Sequence, residues 1–576
     1  MSKVRFIEIR NFRSIQSLDW SPNAGINCLI GPGDSGKSSV LDAIEVCLSA
    51  RRNVSFAETD FHDLAFDKPI RIRITLGDLP SHLKDLDSYG QHLRSFEEIS
   101  EIIEDEPRKG AETVLTVELL VQSHLEPEWR LYSDRSASDD ARNLPWKDRI
   151  TLAPTRLGSH STSHLSWTRN SVLNRLSEDQ VDVGLELITA ARQAREGFGE
   201  RAGVQLANTL QAVATTAKSL GVEIGESAKA LLDAHAASFN EGAISLHSQK
   251  GVPLRRLGTG SGRLLLAGLH KAAAGSSNLL LVDEVELGLE PHRLTRLLHS
   301  LGSKDKEKQL QVFMTTHSPV AVRELSGTQI HILRRQGAQH VTHFPGSSDE
   351  VQSTLRTDPE AFLARTVIVC EGASEIGMLR GLDLFFANQF SDSLHADGVA
   401  FVNAGGGSPD KCLYRAIAIG KLGYRVLAFI DNDKPLNPLT AKTFSDLGGS
   451  LITWPPGQAL EDVLFSEFAA AVTDALIQRA IDLLSLDAVE QSLKAIGATA
   501  TLQQMQAARS LSGDYTPEHR ALLGKASRLR NRGWFKSISA MEGVFLEIVG
   551  PHWNQGSPSF SSVVIRLYQI ARAPHA

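Results

Sequence analysis

Cysteine is scarce in this 576-residue chain: Cys28, Cys47, Cys370 and Cys412 are scattered, and none forms a CxxC pair. That spacing indicates neither a disulfide framework nor a zinc site. Long apolar runs are absent too. No stretch reaches the about 18 residues of a membrane-spanning helix, and the opening MSKVRFIEIRNFRSI lacks the unbroken apolar segment of a secretory signal. A cytoplasmic protein with no membrane contact is the expectation. An excess of basic charge is missing as well, since 60 Lys and Arg stand against 67 Asp and Glu, a formal net charge of −7. This balance argues against a broadly basic, histone-like binder, so any contact with nucleic acid must come from local basic patches. The hydrophobic fraction of 42% is ordinary for a globular chain, and the length suggests roughly three or four domains.

Against those absences, the most informative stretch is RTVIVCEGASE, Arg365 to Glu375. Its short β-branched run reads as a buried strand that turns sharply at Gly372 into a helix, with Glu371 and Glu375 on either side of the turn. The pattern recurs in VLAFI, Val426 to Ile430, which runs into Asp431-Asn432-Asp433. Strand ends in open α/β sheets are where ligands bind, and oxygen ligands clustered there suit a hard cation. Between the two lies a strand, Val399 to Val402, followed by Gly405-Gly406-Gly407. A helix from Cys412 to Leu422 and a fourth strand, Ser450 to Trp454, complete an alternation that argues for a mostly parallel sheet.

Nearer the start, the buried strand INCLI leads into Gly31-Pro32-Gly33-Asp34-Ser35-Gly36-Lys37-Ser38, with Ser39 next, ahead of a helix pattern from Val40 to Leu48. This is GxxxxGKS in a strand-to-helix setting. Its glycines let successive N–H groups turn inward around a phosphate, Lys37 reaches the terminal phosphates, and the Ser38 hydroxyl can ligate Mg²⁺. PIRIRITLGDL, VLTVELLV and Trp129 to Tyr132 read as strands of an antiparallel hairpin system. FEEISEIIEDEP between them reads as a solvated helix or loop, and Ser133 to Ala141 as a surface loop. From Asp182 to Leu220 the pattern is helical, with Leu185, Ile188, Leu206, Leu210 and Val213 among its apolar positions. A second helical stretch spans Ala228 to Phe239. Such an insertion is either a dimerisation arm or a unit packed on its own chain.

RLGTGSGRLLLAGL places another glycine-rich turn at a helix start. NLLLVDE suits a buried strand that sets Asp283 beside a magnesium ion and Glu284 where it can activate water. VFMTTHSP ends a further strand in His317, placed to sense a γ-phosphate. A polar stretch, Pro345 to Asp358, reads as a linker.

In this order the P-loop, GTGSG, LLLVDE and TTHSP resemble an ABC-type ATPase head of the SMC and RecF-like kind. The resemblance implies that the signature turn, with Ser261 and Gly262, completes ATP bound on an opposite subunit, hence a homodimer or homotetramer. EGxxE, a glycine turn and DxD resemble a TOPRIM fold, which implies Mg²⁺, Mn²⁺ or Ca²⁺ held by Glu371, Glu375, Asp431 and Asp433. The two halves together resemble the OLD-family (overcoming lysogenisation defect) nucleases, to which the nuclease subunit of the Gabija anti-phage system belongs. Further acids, Glu461 and Asp462, and a transition-state lysine, Lys536, are implied by that resemblance.

The expected fold is α/β multidomain. An ABC ATPase spans 1–175 and 246–345 around a helical insertion at 176–245, and a TOPRIM nuclease domain spans 360–576. The expected function is DNA cleavage or nicking governed by ATP, in anti-phage defence, with a UvrD-like helicase subunit as a partner in some relatives. Arg509, Arg520, Lys525, Arg528, Arg530, Arg532 and Lys536 against Asp514 and Glu518 suggest a phosphate track, while Trp534 and Phe535 suit core packing better than base stacking. A DNA-repair clamp without nuclease activity, and a primase or topoisomerase, are the competing readings.

Overall fold

The computed structural model describes residues 2–50, 54–98, 100–135, 142–158, 173, 189–190, 192–193, 204–219, 246–272 and 279–573. A 13-stranded mixed sheet organises the first part of the chain. Its strands are β1 Lys3–Phe12, β2 Ile15–Trp20, β3 Ile26–Ile30, β4 Ile70–Gly77, β5 Leu93–Glu97, β6 Ile102–Glu104 and β7 Glu112–Val121, then β8 Pro127–Tyr132, β9 Thr155–Arg156, β10 Leu279–Val282, β11 Gln311–Thr315, β12 Ile330–Gln336 and β13 Gln339–His343. The spatial order is β6-β5-β7-β4-β1-β2-β13-β12-β3-β11-β10-β9, with β8 paired to β7.

Two regimes meet in this sheet. On one side β1, β2, β4, β5, β6, β7 and β8 pair antiparallel. On the other, β9, β10, β11, β3 and β12 run parallel. Residues of β3, β10 and β11 are buried throughout, as expected of strands covered on both faces. Helix α1, Lys37–Cys47, follows β3, and helix α2 spans Thr259–Ala272.

Two expectations change here. FEEISEIIEDEP is not a solvated helix or loop; it supplies the end of β5 and all of β6, with Phe96 opposite Ile103. Phe96 is buried, so its apolar side chain draws an otherwise acidic segment into a hairpin. Nor is Pro345 to Asp358 a loose linker. It contains helix α3, Asp349–Thr357, whose Val351, Thr354 and Leu355 are buried. Val351 and Leu355 are four residues apart and share one face, so the helix has an apolar stripe to dock. Within the stretch expected to be helical, Ala207–Ser219 is a helix; Leu185, Ile188 and Ala228 to Phe239 lie outside the described residues, as do residues 136–141.

A separate four-stranded sheet follows: β14 Thr366–Cys370, β15 Val399–Asn403, β16 Arg425–Ile430 and β17 Ser450–Thr453. Its order is β15-β14-β16-β17, parallel throughout. Helices α4 Ala373–Phe390 and α5 Pro409–Gly420 make its crossovers. Helices α6 Leu460–Ser466, α7 Pro517–Ser527 and α8 Ile538–Val544 lie beyond it in the chain. One continuous apolar core joins the two sheets, running from Leu280 and Met314 through Leu355 and Phe362 to Val367 and Ala428. At the junction the Arg334 guanidinium lies 4.0 Å from the Tyr424 ring centroid, and the Tyr424 hydroxyl donates to the Phe362 carbonyl at 2.7 Å.

On the other face of the second sheet a core contains Trp534 and Phe535, both buried; their aromatic surface belongs to packing. Helix α4 approaches α8 through glycines. A Cβ on Gly381 would lie 2.5 Å from the Glu542 carbonyl oxygen and 2.6 Å from the Phe545 Cβ, and backbone atoms cannot swing aside. Gly381→Ala is therefore expected to destabilise the fold by about 1–3 kcal/mol, read as a lower thermal midpoint; an unchanged midpoint contradicts the close approach.

Candidate nucleotide and carboxylate sites

The first site grows out of β3. Gly31 turns with φ 153°, and a Cβ there would lie 2.4 Å from the Leu333 carbonyl oxygen of the neighbouring strand β12. Gly36 has φ 88°, in the left-handed region that favours glycine. Gly33, Asp34 and Ser38 are exposed at the turn, whereas Ser35, Gly36 and Lys37 are buried. The Lys37 ammonium donates to the carbonyls of Gly31 at 3.1 Å and Pro32 at 2.8 Å and to the Ser35 hydroxyl at 3.3 Å. Burial lowers its pKa from the usual lysine value, opposed by Asp34 and Asp283. Ser39 pairs hydroxyls with Ser14 at 2.9 Å.

At the end of β10, the Asp283 carboxylate accepts from the Ser38 hydroxyl at 3.1 Å and the Thr315 hydroxyl at 2.6 Å. Ser38 and Asp283, far apart in sequence, thus meet. Glu284 is exposed with φ 45°, and its N–H donates to Thr315 Oγ1 at 2.8 Å. His317 is exposed at the end of the next turn. Glu286, missed in the sequence, fixes that turn by accepting from Thr316 Oγ1 at 2.6 Å and the His317 N–H at 2.7 Å. The signature turn opens α2, with Ser261 accepting from Arg293 at 3.1 Å. Behind Gly262, Arg263 is 1% exposed and donates to the carbonyls of Asp283, Glu284, Leu287 and Leu157. The turn is thereby tied to the backbone around Glu284.

The second site lies where β14 and β16 end. Three successive left-handed glycines, Gly405, Gly406 and Gly407 with φ 86°, 72° and 102°, curl a loop over Glu371, whose carbonyl accepts from the Gly406 N–H at 2.7 Å. Glu371 Oε2 accepts from the Asp431 N–H at 3.3 Å. Asp431 Oδ1 accepts from the Leu460 N–H at 2.9 Å. Glu375 Oε2 takes the Gly372 N–H at 2.7 Å and so caps α4. Glu461, 1% exposed, accepts from Ser374 Oγ at 3.2 Å and from the Lys536 ammonium at 2.5 Å.

Burial raises the pKa of Glu371 and Asp462. It raises that of Glu375 further with the help of Glu461, and that of Asp431 with Glu375 and Glu461 both acting on it. Burial opposes the charge of Lys536, yet the Glu461 carboxylate holds its pKa above the ordinary value. Arg528 bridges Asp433 at 3.0 Å and Asp462 at 3.4 Å. Among the described residues no three His, Cys, Asp or Glu side chains form a ready metal-ligating group; Glu375 caps α4, and Arg528 and Lys536 pair with Asp433, Asp462 and Glu461. The donor chemistry nevertheless fits a divalent cation, because these oxygen ligands are desolvated and mutually repelling.

Chain comparisons bear on the first site. Residues 26–323 match the family described as "AAA domain, putative AbiEii toxin, Type IV TA system". The chain belongs to that family. Within this AAA domain the glycine-rich loop and the meeting of Ser38 with Asp283 form the ATP-binding site. Local similarity reaches DNA replication and repair protein RecF of Chlorobium luteolum, 38% identical over 58 residues, 10% of this chain and 16% of that protein. RecF of Prosthecochloris aestuarii is 49% identical over 41 residues, 7% of this chain and 11% of that protein. The chain thus spans under a fifth of either relative's length. Among solved structures, an Smc head bound to the C-winged helix domain of ScpA aligns at TM-score 0.34 and 13% identity, covering 59% of this chain and 97% of that one. The recombination mediator protein RecF aligns at TM-score 0.31 and 12% identity, covering 59% and 98%. No helix among the described residues is long and apolar enough to cross a membrane.

Beyond the AAA domain, the basic run from Ala507 to Lys536 divides by role. Arg509 pairs with Asp474 at 2.7 Å, and buried Arg520 holds the carbonyls of Phe465 and Phe468 and the Asp514 carboxylate. Both are structural, and Arg528 and Lys536 serve the acids. Only Lys525, Arg530 and Arg532 of that run are exposed without a role in these pairs. Sequence placed Arg528 in a phosphate track because an ion pair across 95 residues leaves no local signal.

Proposed function

We propose that the second sheet is a TOPRIM-like nuclease domain that cuts or nicks DNA with a divalent cation, governed by ATP at the AAA domain. What supports this most is the grouping of Glu371, Glu375, Asp431 and Glu461 at the carboxyl ends of β14 and β16 beside Lys536. Glu371, Glu375, Asp431, Asp433, Glu461 and Asp462 would hold the cation, Mg²⁺, Mn²⁺ or Ca²⁺. When bound, it would activate water and offset the charge that develops on the phosphate. Lys536 would stand at the scissile phosphate and add a fixed positive charge there. Glu284 and His317 would serve ATP hydrolysis, and Ser261 and Gly262 would complete ATP on a second copy, giving a homodimer or homotetramer. The OLD-family resemblance extends the proposal to anti-phage defence, with a UvrD-like helicase as a candidate partner.

The test is incubation of the full chain with supercoiled plasmid, Mg²⁺ or Mn²⁺, and varied ATP. Nicked or linear product dependent on metal is the expected result; intact plasmid under all conditions overturns the nuclease reading. A second reading, a RecF-like DNA-repair ATPase that clamps DNA without cutting it, draws on the pairing of the acids with Arg528 and Lys536. It predicts DNA binding with no product. On either reading the exposed Arg530 and Arg532 follow the Arg528 that pairs with the acids, and Arg530→Ala with Arg532→Ala should weaken DNA binding and reduce the slope of log affinity against log salt by about two. An unchanged slope removes them from the DNA path.

A further inference from the structure

Arg156 on the short edge strand β9 is placed unlike any other described cation of the AAA domain. Its Nη2 donates to Asp283 Oδ2 at 3.1 Å. Its Nη1 serves Glu45 Oε2 at 2.7 Å and also Asp42. Arg13 reaches Asp42 from another direction and pairs with Asp60 at 2.8 Å. Asp42 and Glu45 are three residues apart on α1 and share a helix face, the face that Arg156 reaches. The other Asp283 oxygen is occupied by Ser38 and Thr315. Three carboxylates from two elements therefore converge on one guanidinium. Their side chains are only 20%, 29% and 28% exposed for Asp42, Glu45 and Asp283, so water screens their mutual repulsion incompletely.

We propose that Arg156 is a positioning residue of the ATP site, the charge hub that ties the acids of α1 to Asp283 and aims Asp283 at the Ser38 hydroxyl. The proposal stands on the AAA domain alone and is independent of the nuclease reading. Arg156 acts through the acids and does not touch nucleotide. Without it, Glu45 and Asp283 lose their cation and Asp42 keeps only Arg13, so the three carboxylates repel one another and present excess negative charge behind the bound phosphates.

This makes a specific demand on double mutants, because removing two of the acids should remove the need for the hub. The measurement is the affinity of the full chain for a fluorescent ATP analogue, with Mg²⁺ and again in EDTA. The variants are Arg156→Gln, Arg156→Lys, Asp42→Asn with Glu45→Gln, and the triple combination with Arg156→Gln. Arg156→Gln should lose at least about tenfold in affinity with Mg²⁺ and less in EDTA, Arg156→Lys should lose less, and the triple variant should return to within about threefold of the double variant. Wild-type affinity in Arg156→Gln overturns the proposal. So does a triple variant as weak as Arg156→Gln, or an equal loss with and without Mg²⁺, which marks a merely structural role. Should Arg156→Gln fail to fold, the same comparison is made with Arg156→Lys alone and combined with the two acid substitutions.

Discussion

Asp431→Asn is expected to abolish metal-dependent nicking of supercoiled plasmid, a loss of at least about a hundredfold of the kind that follows removal of a group stabilising developing charge. ATP binding should stay unchanged. The substitution is isosteric, so the amide side chain would retain an oxygen for the Leu460 N–H that now lies 2.9 Å from Oδ1. What it removes is the carboxylate that a cation would bind. Asp431 is crowded by Glu375 and Glu461 in a desolvated setting that raises its pKa, so neutralising it relieves repulsion, and the fold should be no less stable. Lost nicking with an undiminished thermal midpoint would then locate the defect in cation binding. Glu371→Gln should behave alike, since its Oε2 meets the Asp431 N–H. Full nicking by both variants, in Mg²⁺ and in Mn²⁺, would sink the nuclease proposal and leave the clamp.

How much of this was legible in the sequence depends on the range over which each signal acts. The strands that carry the sites were readable because burial on both faces leaves mostly apolar runs, as in Ile26–Ile30, Leu279–Val282 and Thr366–Cys370. Gly31, Gly36 and the Gly405 to Gly407 turn were readable because their backbone angles demand glycine. The acids at Glu371, Asp431 and Asp283 followed from strand ends. Partners supplied by distant segments were not readable: Arg156 reaches Asp283 across 127 residues, and Arg528 reaches Asp433 across 95. A basic residue carries no mark in sequence that tells a phosphate contact from a buried brace, which is why Arg520 was counted with Arg530. Helix α3 was passed over for a related reason, because its stripe of Val351 and Leu355 is short and set in polar text.

Lys37→Ala should reduce affinity for a fluorescent ATP analogue by at least about a hundredfold, because a charge-assisted contact to phosphate in a partly desolvated loop has no substitute nearby. The Lys37 ammonium is held by the carbonyls of Gly31 and Pro32, and burial lowers its pKa despite Asp34 and Asp283; phosphate oxygens would add negative charge in direct contact with it. Lys37→Arg should fail nearly as badly, since a planar guanidinium does not reproduce the compact ammonium that donates to Gly31, Pro32 and Ser35 together. Unchanged binding by Lys37→Ala would remove the loop from the nucleotide site. The same variant also tests whether ATP governs the second site. The two sheets share a single core through Leu355, Phe362 and Val367, and β12, whose Leu333 carbonyl backs the P-loop, carries the Arg334 that lies on Tyr424 just ahead of β16. Movement at the P-loop thus has a packed route to the strand that ends in Asp431. If that route operates, plasmid nicking by Lys37→Ala ceases to respond to added ATP, in whichever direction the unsubstituted chain responds; a full ATP response in a variant that no longer binds nucleotide would separate the two sites.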